Sequence, residues 1–373
     1  MYRLRTAIRK MGELYMSENG EELTLLKRME QSPHVVLLGA GASIACIPEG
    51  DKNGKKISAM DGIGMYIDLS WYKGTKTNLE EIYHELDDEQ LKTIFENQLF
   101  DFYSRFQIPD SPTVYDHLII SLTKKDLIAS FNWDPLLIQG YQRCLNITKD
   151  LPEIVFLHGN TWVWHKVNED NSFTEVWQKE LPKRPGSYIA AADGTSYQKS
   201  KLLYPVQNKD YDKDPFIKKS WETFRFVLKN CFLLTIFGFS APQSDILALE
   251  TIRDAFLFLN KDNTINDISN FKQITFINPD KKIVKNFDSI ISKTGVPFIE
   301  TMSDYIQRVD TFYSQSQTLL DTWPRLSSLA YTHKEYKAEF AFQWPKTISE
   351  NTTWDELKKI VEYNTLNKIW FPI

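Results

Sequence analysis

Three polar side chains that follow apolar segments are suited to chemistry on a ribose. Asn132 and Asp134 lie two residues apart, and His158 precedes a glycine. An amide such as Asn132 donates and accepts hydrogen bonds at once, which suits a ribose diol, and Asp134 can accept a bond from a substrate amide. His158 can act as a general base near neutral pH. Each also has a structural explanation, because Asn132 or Asp134 can cap the following helix and a lone histidine is often structural.

A glycine-containing segment, formed by Gly39, Ala40, Gly41 and Ser43, lies between an apolar run and a predicted helix. Glycines at such a turn let the backbone approach a phosphate, and the start of the helix offers N–H groups to it. Ile44 occupies the position of the third glycine in the dinucleotide-binding fingerprint, so that fingerprint is not met. The segment predicts a phosphate contact, and a tight strand–helix turn explains it equally well.

Two later segments also place a polar side chain shortly after an apolar run. Gly238 and Ser240 follow another apolar run, with Asp245 five residues after the serine. Glycine allows close approach of a ligand, and Ser240 can bind a ribose or phosphate oxygen or cap the next helix. Asn278 or Asp280 follows a further apolar run and is predicted to lie near an adenosine ribose, with a simple turn as the alternative.

The elements that must position these residues are five short apolar strands separated by helical segments. The strand candidates cover residues 34–38, 126–131, 153–157, 231–237 and 271–277. Alternating strands and helices predict an α/β fold with a Rossmann-like parallel sheet and helices on both faces. The carboxyl ends of parallel strands meet at one edge, which is where ligands bind. We therefore expect convergence there of Gly39, Asn132, His158, Gly238 and Asn278.

Three regions are predicted along the chain. Residues 1–33 form an N-terminal helical segment, residues 34–313 form the catalytic domain, and residues 314–373 form a small helical C-terminal extension. Within the catalytic domain, residues 160–178 predict an inserted hairpin. Residues 183–215 are rich in Pro, Gly, Lys and Asp and predict a long functional loop.

The composition limits the class of protein. The 373 residues carry a net charge of −5, which disfavours direct nucleic-acid binding. Three scattered cysteines disfavour a disulfide framework and a four-thiolate zinc site, so no zinc is expected. The sequence shows neither a secretory signal nor a membrane-spanning segment. These features predict a cytoplasmic protein that does not bind membranes.

The order of the segments resembles the sirtuin-like NAD-consuming domain over roughly residues 34–313. That family has a Gly-Ala-Gly-x-Ser start, an Asn-x-Asp segment after a strand, a His-Gly pair, a Gly-x-Ser segment and an Asn-containing strand end. The resemblance implies that NAD is the substrate. It also implies catalytic roles for Asn132, Asp134 and His158, and binding roles for Gly39, Ala40, Gly41, Ser43, Asn132, Gly238, Ser240 and Asn278.

The departures from deacylating sirtuins narrow the resemblance. Those enzymes usually carry a four-cysteine zinc module, which this chain cannot build, and no counterpart of their peptide-binding strand is found. The segments around Leu203-Tyr204-Pro205 and Gly238–Asp245 are similar to bacterial sirtuin-like NAD hydrolases of anti-phage defence. The resemblance implies hydrolysis of NAD to ADP-ribose and nicotinamide. It also implies gating by a homo-oligomer or by a partner subunit, with a HerA-like ATPase or translocase as the leading candidate.

Three other functions remain open at this stage. A sirtuin-type NAD-dependent protein deacylase shares His158 and NAD but lacks the zinc cysteines. A non-catalytic module that senses NAD or ADP-ribose does not need both Asn132 and His158. A dinucleotide oxidoreductase is the least favoured, since the third glycine and a plausible hydride-transfer pair are missing.

Overall fold

The structure is a computed structural model, which describes residues 33–57, 63–167, 173–177, 188–190, 196–204, 211–212, 214–231, 233–242, 245–256, 273–278, 281–287, 353–355 and 357–359. The predicted N-terminal helical segment lies outside the described residues except for residue 33. The end of the predicted catalytic domain, residues 288–313, and most of the C-terminal extension also lie outside them. The three regional boundaries therefore stay predictions.

The described residues contain nine strands and seven α-helices. The strands are β1 (His34–Leu38), β2 (Leu127–Ser130), β3 (Glu153–Phe156), β4 (Val163–Val167), β5 (Phe173–Trp177), β6 (Tyr188–Ala190), β7 (Ser196–Lys199), β8 (Leu233–Phe237) and β9 (Gln273–Ile277). The helices are α1 (Ala40–Cys46), α2 (Leu79–Glu85), α3 (Glu89–Ser104), α4 (Val114–Ser121), α5 (Leu136–Cys144), α6 (Pro215–Asn230) and α7 (Ile246–Phe256). Two 3₁₀ helices span Ile63–Met65 and Lys281–Phe287.

Five of the strands form a parallel sheet in the order β3-β2-β1-β8-β9. The central strand β1 is buried along its whole length, as expected for a parallel sheet covered on both faces. The chain moves outward from β1 to β3 and then returns to β8 on the other side. Right-handed crossovers in opposite directions place helices on opposite faces. The predicted Rossmann-like α/β class is confirmed.

The predicted hairpin is present, and it belongs to a second, antiparallel sheet in the order β5-β4-β7-β6. The prediction of a long loop over residues 183–215 is wrong in part. Strands β6 and β7 lie within it, because β7 pairs with the free side of β4 and thereby satisfies its backbone groups. Pairing between distant segments overrides a composition that favours loops.

Side-chain caps explain two helix boundaries that the apolar pattern does not. The region 78–104 contains two helices because Asp88 starts the second one, accepting bonds from the backbone N–H groups of Gln90 and Leu91. Asn78 caps the first helix in the same way. Pro135 lies at the N-cap position of α5.

Two strand-end turns, at the ends of β1 and β8, are in direct backbone contact. A Cβ atom added to Gly39 would lie 2.5 Å from the Cα of Phe239, and one added to Gly41 would lie 2.8 Å from the Cα of Gly238. Gly238 has a φ of +66°, and a Cβ there would lie 2.2 Å from the Ala42 nitrogen. Only glycines allow this approach. The two turns are therefore locked together at the centre of the sheet edge.

Part of the C-terminal region packs on the same domain. The Trp354 indole N–H donates to the Asp110 carbonyl at 3.0 Å, and the Arg143 guanidinium lies 4.7 Å from the ring centroid. Arg143 also forms a partly buried ion pair with Asp116 on α4. Leu357 is fully buried. This segment is thus attached to α5 and to the loop that leads into α4.

Replacing Gly238 with alanine tests the contact between the two turns. The positive φ costs about 1–3 kcal/mol for a non-glycine residue, and the overlap with Ala42 adds a similar amount. We expect Gly238→Ala to lower the free energy of unfolding by about 3 kcal/mol or more, as measured by urea denaturation.

Gly54→Ala is the matched control for Gly238→Ala. Gly54 also has a positive φ, +76°, but a Cβ there meets no atom within 4 Å. This variant therefore reports the conformational cost alone. Equal losses of stability in the two variants would contradict the proposed role of backbone contact.

Candidate active site

The carboxyl edge of the parallel sheet brings together the five predicted strand-end residues. In sheet order they are His158, Asn132, Gly39, Gly238 and Asn278, and all five are buried. Their order follows from the strand order, because each residue stands one or two positions beyond its strand. The two predicted binding residues Ala40 and Ser240 lie at the same edge and are exposed. Whether any of these residues contacts a ligand stays a prediction.

Asn132 is held by three oxygen atoms. Its Nδ2 group donates to the Gly39 carbonyl at 2.9 Å, to the Ser43 hydroxyl at 2.9 Å and to the Tyr115 hydroxyl at 3.2 Å. The Gly39 carbonyl can only accept, so it fixes which amide atom is nitrogen. The Oδ1 atom is accordingly the atom of this amide that can accept a bond from a ligand.

Ser43 connects this amide to a carboxylate. Its hydroxyl donates to the Asp134 Oδ2 atom at 2.7 Å, and the Tyr115 hydroxyl lies 2.8 Å from the same Ser43 oxygen. Because Ser43 has a single hydrogen to donate, Tyr115 is the donor to Ser43. Ser43 is fully buried within this network. Its predicted contact with a phosphate stays a prediction, whereas its contact with Asp134 is observed.

Asp134 accepts a hydrogen bond at the start of α5 and has a raised pKa. Its Oδ1 atom accepts from the Leu136 N–H at 3.1 Å, which serves the start of α5. Burial raises the pKa of the Asp134 carboxyl to about 6, although the hydrogen bonds from Ser43 and Leu136 lower it. The carboxylate form therefore dominates at neutral pH. A carboxylate can accept about four hydrogen bonds, so this one can accept more than the two observed.

Residues that follow His158 fix the backbone of the Asn-Trp-Asp segment. The Asn160 amide donates to the Asn132 carbonyl at 3.3 Å and to the Asp134 carbonyl at 2.7 Å. The Thr161 hydroxyl donates to the Trp133 carbonyl at 2.9 Å. Sequence reasoning missed both, and it missed Tyr115. Asn160 and Thr161 directly follow His158-Gly159, which was the available signal, whereas Tyr115 gives no local signal.

His158 lies in a mostly aromatic environment and is 5% exposed. Its ring centroid is 4.6 Å from that of Phe131, at an interplanar angle of 63°, and 6.2 Å from the nearly parallel ring of Tyr211. Phe131 also stacks on Phe239 at 4.5 Å. The Nε2 atom lies 3.7 Å from an Asp245 carboxylate oxygen. Within the described part of the chain, the imidazole therefore has aromatic rings on its faces and the Asp245 carboxylate beside it.

The glycine-containing turn uses its amides internally. The Gly39 N–H donates to the Phe237 carbonyl at 2.9 Å, and the Gly41 N–H donates to the Gly238 carbonyl at 3.0 Å. These glycines thus allow two backbones to meet, and their predicted contact with a phosphate stays a prediction. Ala40, exposed at the start of the seven-residue helix α1, is the residue of this turn nearest to solvent.

The adjoining turn after β8 has an uncommon backbone conformation. Ala241 is buried and has a φ of +52°, which a non-glycine residue rarely adopts. The Ser240 carbonyl accepts from the Asn286 amide at 2.7 Å. This turn is held from both sides, by the glycine contact and by the 3₁₀ helix that contains Asn286.

No group of three or more His, Cys, Asp or Glu residues within the described part of the chain could hold a metal ion. Cys46, Cys144 and Cys231 are each buried and free. Among the helices in the described ranges, none combines the length and the apolar character that a membrane crossing requires.

Comparisons with known proteins give distant structural matches. No family model matches the chain, and no curated protein matches it. An ADP-ribose complex of a mutant Sir2 homologue is 15% identical, covers 86% of this chain and 99% of its own, and has a TM-score of 0.40. A Sir2 homologue–NAD complex is 15% identical, covers 79% of this chain and 94% of its own, and has a TM-score of 0.35. A structure of Sir2 bound to acetylated peptide is 15% identical, covers 70% of this chain and 87% of its own, and has a TM-score of 0.31.

The raised pKa of Asp134 makes a prediction about stability. The folded carboxyl titrates near pH 6 and the unfolded one near 3.8, so folding is disfavoured by its ionisation as the pH rises between these values. Asp134→Asn removes this effect. As the pH rises from 4 to 7, wild type should lose up to about 3 kcal/mol of unfolding free energy that the variant does not lose. The difference in unfolding free energy, variant minus wild type, therefore increases by this amount.

Asp101→Asn, at an exposed position on α3, is the control for Asp134→Asn and should show a much smaller change. Chemical denaturation at several pH values measures both variants. A difference between Asp134→Asn and wild type that stays constant over this pH range would contradict the assigned ionisation.

Proposed function

We propose that this chain binds NAD and hydrolyses its nicotinamide–ribose bond, releasing ADP-ribose and nicotinamide. One observation carries the proposal: a fixed amide, a buried carboxylate and a buried imidazole follow the adjacent strands β2 and β3 at the carboxyl edge of the sheet. Neighbouring strands are about 4.8 Å apart, which brings groups at their ends within reach of one ribose. Ligands of open α/β sheets bind at this edge.

The Asn132 amide has the role of positioning the ribose. Its nitrogen is committed to Gly39, Ser43 and Tyr115, so the Oδ1 atom accepts a hydrogen bond from a ribose hydroxyl or from the attacking water. The network fixes this oxygen before the substrate binds. Preorganisation of this kind lowers the entropic cost of reaching the reactive geometry.

Asp134 orients the leaving group in the proposed reaction. Its carboxylate accepts a bond from the carboxamide of nicotinamide while Ser43 holds the carboxylate in place. Since the pKa of Asp134 is raised to about 6, the accepting form is present at neutral pH. The pyrophosphate is assigned to the Gly39–Ser43 segment, with Ser240 and Asn278 on the adenosine side, as the sequence predicts.

His158 is the base. The bond between the ribose C1′ and the nicotinamide nitrogen breaks, and its electron pair goes to the ring nitrogen, which gives neutral nicotinamide. Water adds to C1′, and its proton passes to His158 directly or through a ribose hydroxyl. The aromatic walls formed by Phe131 and Tyr211 limit the access of other water molecules.

The biological role we propose is anti-phage defence by depletion of NAD. It is supported by the resemblance of the sequence to bacterial sirtuin-like NAD hydrolases. Unrestrained NAD loss is toxic, so the activity needs a gate. We propose gating by a homo-oligomer or by assembly with a HerA-like ATPase. An active monomer in gel filtration, with unregulated turnover, would count against this gate.

The catalytic assignment is tested by chromatography of NAD after incubation with the purified protein, alone and with candidate partner subunits. We expect His158→Ala and Asn132→Ala to lower turnover by about 10²-fold or more, because a positioned base contributes about 10²–10⁴-fold. His84→Ala and Asn146→Ala, at exposed positions outside the site, should keep wild-type turnover. Near wild-type rates in either site variant would refute the assignment.

The products distinguish hydrolysis from the other functions. ADP-ribose formed without any peptide supports hydrolysis. O-acetyl-ADP-ribose formed only with an acetylated peptide would instead establish a sirtuin-type deacylase. Tight binding of NAD or ADP-ribose without any product, under all assembly conditions, would establish a sensing module.

A further inference from the structure

We propose that Asp245 is a positioning residue for His158. Its carboxylate holds the imidazole with the proton on Nε2 and stabilises the imidazolium that forms during the reaction. The inference deepens the proposed NAD hydrolysis and depends on it for its catalytic part. The interaction between the two side chains can be tested without NAD.

The geometry places the two groups together away from water. The Asp245 Oδ1 atom lies 3.7 Å from His158 Nε2, and each residue is 5% exposed. This distance is too long for an N–H···O hydrogen bond but within reach of a charge interaction. Catalytic contacts of this kind often tighten when substrate binds. In a buried site, a charge interaction is screened less than at the surface.

The orientation of the ring assigns separate tasks to its two nitrogen atoms. Because Nε2 faces the carboxylate, a proton on Nε2 is favoured, and Nδ1 then carries the lone pair. The base of the proposed reaction is therefore Nδ1. When Nδ1 takes up the proton, the imidazolium and the Asp245 carboxylate form an oppositely charged pair. The positive charge is thus balanced where it appears.

The other groups around the ring are compatible with this assignment. Phe131 is apolar, and Tyr211 stays protonated because burial, followed by the charge of Asp245, raises the pKa of its hydroxyl. Arg225, whose guanidinium lies 5.7 Å from the ring centroid of Trp221, lowers the pKa of the Tyr211 hydroxyl and so acts against Asp245 there. Asp245 therefore supplies negative charge directly beside His158.

Asp245 also has an ordinary structural explanation. It directly precedes α7, and its N–H donates to the Pro242 carbonyl at 2.9 Å, so its backbone forms the turn that leads into this helix. Asparagine is tolerated at the start of a helix about as well as aspartate. The substitution Asp245→Asn therefore keeps the size of the side chain and suits this position while it removes the charge.

The kinetic experiment compares Asp245→Asn with wild type over a range of pH. If the contact tightens to a hydrogen bond when the imidazolium forms, as proposed, its loss lowers kcat by about 10–100-fold with KM nearly unchanged. The acid limb of the kcat/KM profile should move to lower pH, because the neutral amide no longer stabilises the imidazolium. Asp245→Glu should retain more activity than Asp245→Asn.

The matched control is Asp254→Asn, an exposed residue on the same helix that pairs with Arg253. It should leave kcat and the pH profile unchanged. An unchanged kcat and pH profile in Asp245→Asn, with wild type active, would overturn the proposal and leave NAD hydrolysis intact.

The second readout uses nitrogen NMR of the histidine rings in the full chain without NAD. His158→Ala identifies the His158 signals. We expect the Nε2-protonated tautomer in wild type and a titration midpoint at lower pH in Asp245→Asn. An Nδ1-protonated tautomer in wild type would overturn the proposal even if Asp245→Asn failed to fold. A wild type that cannot cleave NAD would refute the proposed function and leave this test of the pair unaffected.

Discussion

The contact between two glycine-containing turns is the constraint on which the candidate site depends. Gly39 and Gly41 meet Gly238 with no room for a Cβ atom, and two backbone hydrogen bonds seal the contact. The contact sets the spacing of β1 and β8 at the edge where all the polar residues converge. The carbonyl of Gly39, fixed in this way, is also an acceptor for the Asn132 amide. Packing of backbone on backbone thus defines the position of a catalytic candidate.

The site has two parts, a hydrogen-bonded polar network and an aromatic pocket around His158. On one side, Asn132, Ser43, Asp134 and Tyr115 form a closed network. The two amide hydrogens of Asn132 are shared among three oxygen atoms, and the hydroxyls of Tyr115 and Ser43 each donate once. Such a network is rigid, and its energetic cost is low because its buried polar groups are paired. On the other side, His158 sits among aromatic rings with a carboxylate at one edge. The first environment suits positioning, and the second suits a change of charge.

The sequence was sufficient to predict the strands and the residues that end them, because buried parallel strands are continuous apolar runs and their polar ends stand out. It was not sufficient to identify Tyr115, Asn160 or Asp245 as contacts of these residues. Tyr115 reaches the network from α4, a helix whose sequence gives no sign of this contact, and Asp245 comes from a segment distant in sequence from His158. Contacts that depend on packing between distant segments leave no local pattern. The strands β6 and β7 were missed for the same reason.

The order of strands in the sheet has a consequence for the synthesis of the protein. The central strand β1 emerges early from the ribosome, whereas its neighbour β8 and the turn at Gly238 come well after Asn132 and His158. At about 5–20 residues per second, the interval between residues 158 and 238 lasts several seconds. During this time the catalytic candidates are present, but the turn that positions them is missing. A chain interrupted before β8 would carry these residues without an assembled site, so premature termination yields a fragment that lacks the turn on which their positions depend.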